Sequence, residues 1–229
     1  MKKLTILTGA GISAESGIKT FRDGDGLWEN HSIPDVASPE GWRKDRELVL
    51  EFYNQRRRQI HEVEPNNAHK LIADLEKYFD VQIITQNIDD LHERAGSKNI
   101  IHLHGELLKS CSCNNKSLIY DQKEDINIGD KAEDGAQLRP LIVWFGEEVP
   151  LMKEATEKAK EADIFLVIGT SLQVYPAAGL LHDIKDDCLL IVINPNETGF
   201  GYGQRAVVMK ETATKGMKLL FDKLVNLAE

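Results

Sequence analysis

Two histidines one residue apart, His102 and His104, stand in the run Ile101-His102-Leu103-His104-Gly105. Imidazole suits proton transfer near neutral pH, so either could act as a general base. In an extended segment the two would point to one face, and an ordinary structural histidine is the other reading of each. Five further runs carry groups that grip polar ligands. Gly9-Ala10-Gly11-Ile12-Ser13-Ala14 fits the GxGxxA fingerprint, whose glycines allow a tight turn and a close approach to a pyrophosphate. Alone, that pattern leaves nucleotide binding and a bare tight turn equally open. Thr85-Gln86-Asn87-Ile88-Asp89-Asp90 brings amides and carboxylates to the end of an apolar run, although Asn and Asp are also ordinary turn formers. Trp144-Phe145-Gly146-Glu147, Gly169-Thr170-Ser171 and Asn194-Pro195 fall at comparable places.

These runs need a scaffold that brings them together. Apolar stretches at 4–7, 81–85, 141–145, 164–168 and 189–193 read as buried strands. Residues 45–62 read as a helix with Asp45 as N-cap and Leu48, Val49, Phe52, Tyr53 and Ile60 as apolar positions. Asn66 caps a second helix through Tyr78, with Leu71, Ile72 and Leu75 inward, and helical patterns follow at 151–162, 177–184 and 213–227. This alternation predicts an α/β fold around a mostly parallel sheet, because parallel strands need crossovers and those are usually helices. Ligands of such sheets bind beyond the carboxyl ends of the strands. Small, amide and hydroxyl residues gather at several of those ends, which predicts one large shared site.

After Gly11 the chain departs from a dehydrogenase, which would bring a second strand ending in an acid about 20 positions on. Instead, residues 16–28 form a glycine-punctuated loop containing Phe21 and Arg22. Phe21 could shield a reactive centre from water and Arg22 could meet a phosphate; a core Phe and a surface Arg is the plainer reading. Residues 105–139 are polar, show little periodicity and read as an inserted module.

Composition bounds the rest. The 229 residues fit one large domain plus a small one, and 41% hydrophobic residues suffice for a core without staples. A formal net charge of −9 argues against a nucleic-acid groove, whose affinity depends on Lys and Arg meeting phosphates. The cluster Arg56-Arg57-Arg58 lies inside a helical pattern and reads as a solvated helix face. Three cysteines, Cys111, Cys113 and Cys188, suggest a reducing compartment. No run approaches the roughly 18 to 20 apolar residues of a membrane span. The start Met1-Lys2-Lys3 lacks a signal-peptide core, so the expectation is a cytoplasmic protein without nucleic-acid or membrane partners.

Taken together, the chain resembles the sirtuin family of NAD-dependent protein lysine deacylases. The resemblance rests on Gly9-Ala10-Gly11-Ile12-Ser13 with Ser16-Gly17-Ile18 and Phe21-Arg22, then Thr85-Gln86-Asn87-Ile88-Asp89, His104-Gly105, Phe145-Gly146-Glu147 and Gly169-Thr170-Ser171. Order and spacing match over nearly the whole length. The resemblance implies a Rossmann-type NAD-binding domain (1–23, 62–104 and 141–229). It also implies a smaller domain, made of a helical insertion (24–61) and a reduced zinc-ribbon-like insertion (105–140). NAD would be held by Gly9, Ala10, Gly11, Phe21, Arg22, Gln86, Asn87, Asp89, Gly169, Thr170, Ser171, Asn194 and Ala213. Asn87 and Asp89 would act near the nicotinamide and its ribose. In the family scheme the acyl-lysine carbonyl oxygen displaces nicotinamide, and His104, the general base, helps deprotonate a ribose hydroxyl that attacks the product. Water then frees lysine and O-acyl-ADP-ribose. Residues 143–147, with Val143, Phe145, Gly146 and Glu147, would take the substrate peptide as an added strand.

Two departures stand out. Lys19 replaces the proline usual after Gly-Ile, and the two cysteine pairs of the family's structural zinc are reduced to Cys111 and Cys113, so no zinc is expected. Tyr53 and Arg56, three apart, share a helix face. Spacing alone favours an amphipathic helix with Arg56 at its edge. Sirtuins that remove acidic acyl groups carry this Tyr-x-x-Arg pattern, with a small residue before the helix where this chain has Ala37, which implies desuccinylase or demalonylase activity beside deacetylation. The rival readings are an NAD glycohydrolase or mono-ADP-ribosyltransferase, and a non-catalytic NAD-sensing module.

Overall fold

The computed structural model describes residues 1–19, 27–28, 31–198, 201 and 206–228. Phe21 and Arg22 lie outside the described residues. The chain runs β1 (Lys3–Thr8), β2 (Leu27–Trp28), β3 (His31–Ser32), α1 (Ile33–Val36), α2 (Pro39–Lys44), α3 (Arg46–Ile60) and α4 (Asn67–Leu75). It continues through β4 (Asp80–Thr85), α5 (Leu91–Arg94), β5 (Ile100–His102), β6 (Gly105–Ser112), β7 (Ile119–Asp121) and β8 (Leu138–Ile142). Then follow α6 (Met152–Glu161), β9 (Ile164–Ile168), a 3-10 segment (Ala177–His182), β10 (Leu189–Ile193), β11 (Ala206–Met209) and α7 (Ala213–Ala228).

Six strands form a wholly parallel sheet in the order β11-β10-β9-β1-β4-β5. The chain lays strands to one side of β1 and then reverses to the other, so a topological switch point lies between β1 and β9. Alternate residues explain the helices on both faces. Leu4, Ile6, Ile83, Leu166 and Ile193 pack with Ile72 and Leu75 of α4 and with Met217, Leu220 and Leu224 of α7. Leu7, Ile84, Phe165, Val167 and Val192 pack with Ala155 and Ala159 of α6 and with Leu180 of the 3-10 segment. Both predicted caps hold: the Asp45 carboxylate accepts from Leu48 N at 2.9 Å, and Asn66 Oδ1 accepts from Ala68 N at 2.9 Å.

A second, antiparallel sheet in the order β7-β6-β8 shares a core with α1–α3, built from Val36, Val49, Phe52, Tyr53, Leu107, Ile126, Ile142 and Trp144. Of the apolar run expected as a strand at 141–145, residues 143–145 are not strand, and Leu141 and Ile142 form the end of β8 in this sheet, not in the parallel one. Its partner β6 was illegible because Ser110 and Ser112 occupy fully buried positions, bonded to Gln122 and Asp134, and hide the apolar alternation. Strands β5 and β11 were likewise unexpected, each too short to show a period.

The three adjacent arginines also depart from the solvated-face expectation. Successive residues on a helix turn by about 100°, so they part company. Arg57 is fully buried, donating to Leu107 O at 3.2 Å and to Asn54 Oδ1 at 2.6 Å. Arg58 pairs outside with Glu51 and Asp125. Arg56 lines the main cavity, its guanidinium 3.6 Å from the Phe52 ring centre.

The residues of the antiparallel module do not fit a four-coordinate structural metal. Cys111 and Cys113 supply two thiols, Asp130 Oδ2 accepts from Asn127 N at 2.7 Å, and among the described residues no three His, Cys, Asp or Glu groups are placed to hold one ion. Asn54 of α3 ties the module to the helical segment, with Nδ2 donating to Ile126 O and Oδ1 accepting from Ile126 N, both at 2.9 Å.

Candidate active site

The carboxyl ends of β1, β4, β9 and β10, and the turn after β5, open on one cavity of about 660 Å3 at the switch point. Gly9 to Gly11 follow β1, Gln86 to Asp89 follow β4, Gly169 to Ser171 follow β9, and Asn194 follows β10. Ala213 reaches the cavity from the start of α7, and Tyr53, Arg56, Val143, Phe145, Gly146 and Glu147 line it from the other side. All described residues expected at the site from the sequence border this cavity, whose size falls in the ordinary range for ligand sites.

The glycines have a cause beyond ligand approach. Gly11 N donates to Gly169 O at 2.8 Å, and a Cβ on Gly11 would come within 2.7 Å of Gly169 Cα. Gly169 holds φ +65°, and a Cβ there would meet Ile12 N at 2.4 Å. The turns after β1 and β9 therefore pack backbone to backbone, which only glycine permits.

Behind them, Asn87 Nδ2 donates to Ser13 Oγ at 3.0 Å and Ser13 Oγ donates to Asp89 Oδ2 at 2.9 Å. Leu91 N donates to the other Asp89 oxygen at 3.2 Å. Burial raises the Asp89 carboxyl to about 6, against the lowering by the Ser13 bond. Ser13, part of the first motif, is fully buried behind the cavity wall, a supporting role that the motif alone does not assign. Gln86 Nε2 donates to Thr170 Oγ1 at 3.0 Å, which ties the β4 turn to the β9 turn.

The two histidines diverge because residues 103–104 form a turn and not an extended segment. His102 points away from the cavity onto Glu93, 2.6 Å from its carboxylate. Burial lowers its pKa, but Glu93 outweighs this and the net shift is upward. His104 lines the cavity. Its Nδ1 lies 3.0 Å from Gln86 O, and since a carbonyl only accepts, Nδ1 carries the proton and Nε2 is the free base. Burial lowers its pKa and keeps the ring neutral at physiological pH. A neutral ring in a fixed tautomer presents the unprotonated nitrogen that a general base needs.

At the other end, Tyr53 is fully buried and its hydroxyl accepts from Trp144 Nε1 at 3.1 Å. Trp144, which opens the run Trp144-Phe145-Gly146-Glu147, thereby ties that run to α3. Phe145 is half exposed at the cavity and Gly146 has φ +88°. Glu147 is engaged by the protein itself: Arg139 Nη1 donates at 2.9 Å, Lys116 Nζ at 2.7 Å and Trp144 N at 3.0 Å. Val143 N donates to His104 O and Phe145 N to Ala37 O.

The donor set of amides, hydroxyls, one neutral imidazole and close-packed glycine turns, in a cavity of this size, fits a dinucleotide. The chain matches the model of the Sir2 family over residues 9–176. It is 57% identical over 228 residues to the NAD-dependent protein deacylase of Helicobacter pylori (strain ATCC 700392 / 26695), covering all of both chains. A protein of the same name from Bacteroides thetaiotaomicron is 50% identical over 231 residues, with 98% of this chain and 99% of that one covered. The crystal structure of a Sir2 homolog–NAD complex superposes with a TM-score of 0.90 at 38% identity, covering 100% of this chain and 91% of the other. Fold, site geometry and kinship agree, and the chain belongs to the Sir2 family.

Proposed function

We propose that this chain, an NAD-dependent protein deacylase, removes acyl groups from protein lysines with His104 as general base, and that it takes groups ending in a carboxylate beside acetyl. NAD, when bound, supplies a ribose carbon from which nicotinamide departs and to which the acyl oxygen is transferred. Asn87 and Asp89, fixed through Ser13, would hold the nicotinamide and ribose end. Gly9, Ala10, Gly11, Gly169, Thr170, Ser171, Asn194 and Ala213 would hold the remainder. His104 Nε2 would take the proton of a ribose hydroxyl, its ring steadied by the bond from Nδ1 to Gln86 O. The observation that carries the reading is the convergence of His104, Asn87 and Asp89 on the same cavity as Tyr53 and Arg56.

The acidic-acyl reading is supported by Arg56, whose guanidinium stacks on Phe52 at the cavity wall close to the buried Tyr53, with Ala37 leaving room beside them. A guanidinium grips a carboxylate through charge-assisted hydrogen bonds. The core shared by α1–α3 and the β6–β8 sheet supports treating 24–61 and 105–140 as one small domain against an NAD-binding remainder. Among the described residues no helix is long and apolar enough to cross a membrane, and the free thiols of Cys111, Cys113 and Cys188 support a place in the cytoplasm. The test is mass spectrometry of the products from NAD and acetyl-, succinyl- and malonyl-lysine peptides. Free lysine and O-acyl-ADP-ribose are expected; nicotinamide release that ignores the acyl peptide would mark a glycohydrolase or ADP-ribosyltransferase.

A further inference from the structure

Asn87 is held by its side chain from Ser13, but its backbone amide is held from beneath by residues that do not line the cavity. Asn87 N donates to Thr85 Oγ1 at 3.0 Å, and Thr8 Oγ1 donates to the same oxygen at 2.9 Å. Thr8 and Thr85 face each other as the last pair of the β1–β4 ladder, and both are fully buried. Thr8 Oγ1 lies 3.0 Å from Nε2 of His92, which is 1% exposed on α5. Thr8 Oγ1 thus links Thr85 to the His92 ring, whose Nε2 donates to it or accepts from it according to the tautomer. Burial holds His92 well below the ordinary histidine range, in keeping with a neutral ring. His69 packs edge-on against it at 5.0 Å and fixes its plane.

We propose that His92, Thr8 and Thr85 are positioning residues, a buried chain of hydrogen bonds that sets the Asn87 amide and thereby aims its side chain at the reacting end of the cavity. The inference rests on the assignment of Asn87 to that end. The plainer alternative is that these groups only satisfy one another within the core. The two differ in what is lost when one hydroxyl goes. A small displacement of a reacting group can cost about 10²-fold in rate, whereas a packing defect lowers stability without selecting kcat.

Thr8→Val keeps the shape and removes the oxygen; Thr8→Ser keeps the oxygen and removes a methyl. Thr8→Val is expected to lower kcat about 10- to 100-fold with KM for the acyl peptide changed less than about twofold, and Thr8→Ser to stay within about threefold of the native rate. His92→Phe should follow Thr8→Val, with His92→Gln, which retains an N–H, recovering part of the loss. Amide hydrogen exchange supplies a second readout should Thr8→Val fold poorly. In His92→Phe the Asn87 amide should exchange at least about tenfold faster, with the amides of Ile83 and Ile84 unchanged as reporters of the sheet. Native kcat in Thr8→Val or His92→Phe, equal losses in Thr8→Val and Thr8→Ser, or an unchanged Asn87 amide would each overturn the proposal. Asn87→Ala is measured alongside. If it is inactive while Thr8→Val is native, only the positioning chain falls; if it turns over normally, the reading of Asn87 falls and takes this inference with it.

Discussion

Replacing Asn54 with Ala tests whether hydrogen bonding, and not metal, joins the antiparallel module to α3. Asn54 is 4% exposed and Ile126, its partner, is fully buried. The substitution leaves three groups without their partner: Ile126 N, Ile126 O and Arg57 Nη1. An orphaned buried polar group costs about 1–3 kcal/mol, and water entering the small space left by the side chain offsets part of the sum. A loss of about 3–5 kcal/mol is expected, which for a chain of this size lowers Tm by about 6–20 °C. Asn54→Asp keeps the acceptor facing Ile126 N and Arg57 and gives up only the donor to Ile126 O, so its loss should be nearer about 1–2 kcal/mol. The assay is urea denaturation followed by circular dichroism, with limited proteolysis across 105–140 to catch local opening, each with and without a zinc chelator. The chelator should change nothing in the native protein. A change under about 1 kcal/mol in Asn54→Ala, a chelator effect as large as the mutation, or about one tightly held zinc per chain would refute the reasoning.

His104→Ala should cost on the order of 10²-fold or more in turnover; His102→Ala, which removes the Glu93 pair behind the loop, should cost far less, and the reverse order would overturn the assignment. Arg56→Met should lower desuccinylation by about 10- to 150-fold, the worth of a charge-assisted hydrogen bond of roughly 1.5–3 kcal/mol. Deacetylation should be largely spared, and equal loss of both would leave Arg56 a structural residue. Burial lowers His69 to about 4, and its ring nitrogens have no hydrogen-bond partner among the described residues. An unfolded histidine titrates near 6.5, so unfolding takes up a proton as pH falls below that value. Its contribution to stability is whole above about pH 6.5 and lost toward pH 4, on the order of 3 kcal/mol. Asp89, raised to about 6, pulls the other way in this range, whereas the raised His102 acts above pH 6.5. The difference between native and His69→Phe isolates the effect: the variant should gain on the native protein as pH drops from 7 to 4, and a constant difference would show that His69 is not buried as the neutral form.

The sequence by itself determined what is local or repeated along the chain. The caps Asp45 and Asn66 act within three residues of themselves, and the runs that became β1, β4, β9 and β10 carry apolar residues toward both faces because both faces of the parallel sheet are covered. The motifs at 9–14, 85–90, 169–171 and 194–195 were legible for the same reason, since each directly follows such a strand or marks its end. The tertiary structure decided what depends on direction and on distant partners. His102 and His104 look alike in the sequence, and only the turn at 103–104 sends one to Glu93 and the other to the cavity. Arg56, Arg57 and Arg58 differ by the rotation of a helix, which becomes cavity wall, core and solvent only when the β6–β8 sheet packs against it. The need for glycine at Gly11 comes from Gly169, and the setting of Asn87 from Thr8 and His92. Such pairings join residues that share no local period, so nothing short of the packed chain reveals them.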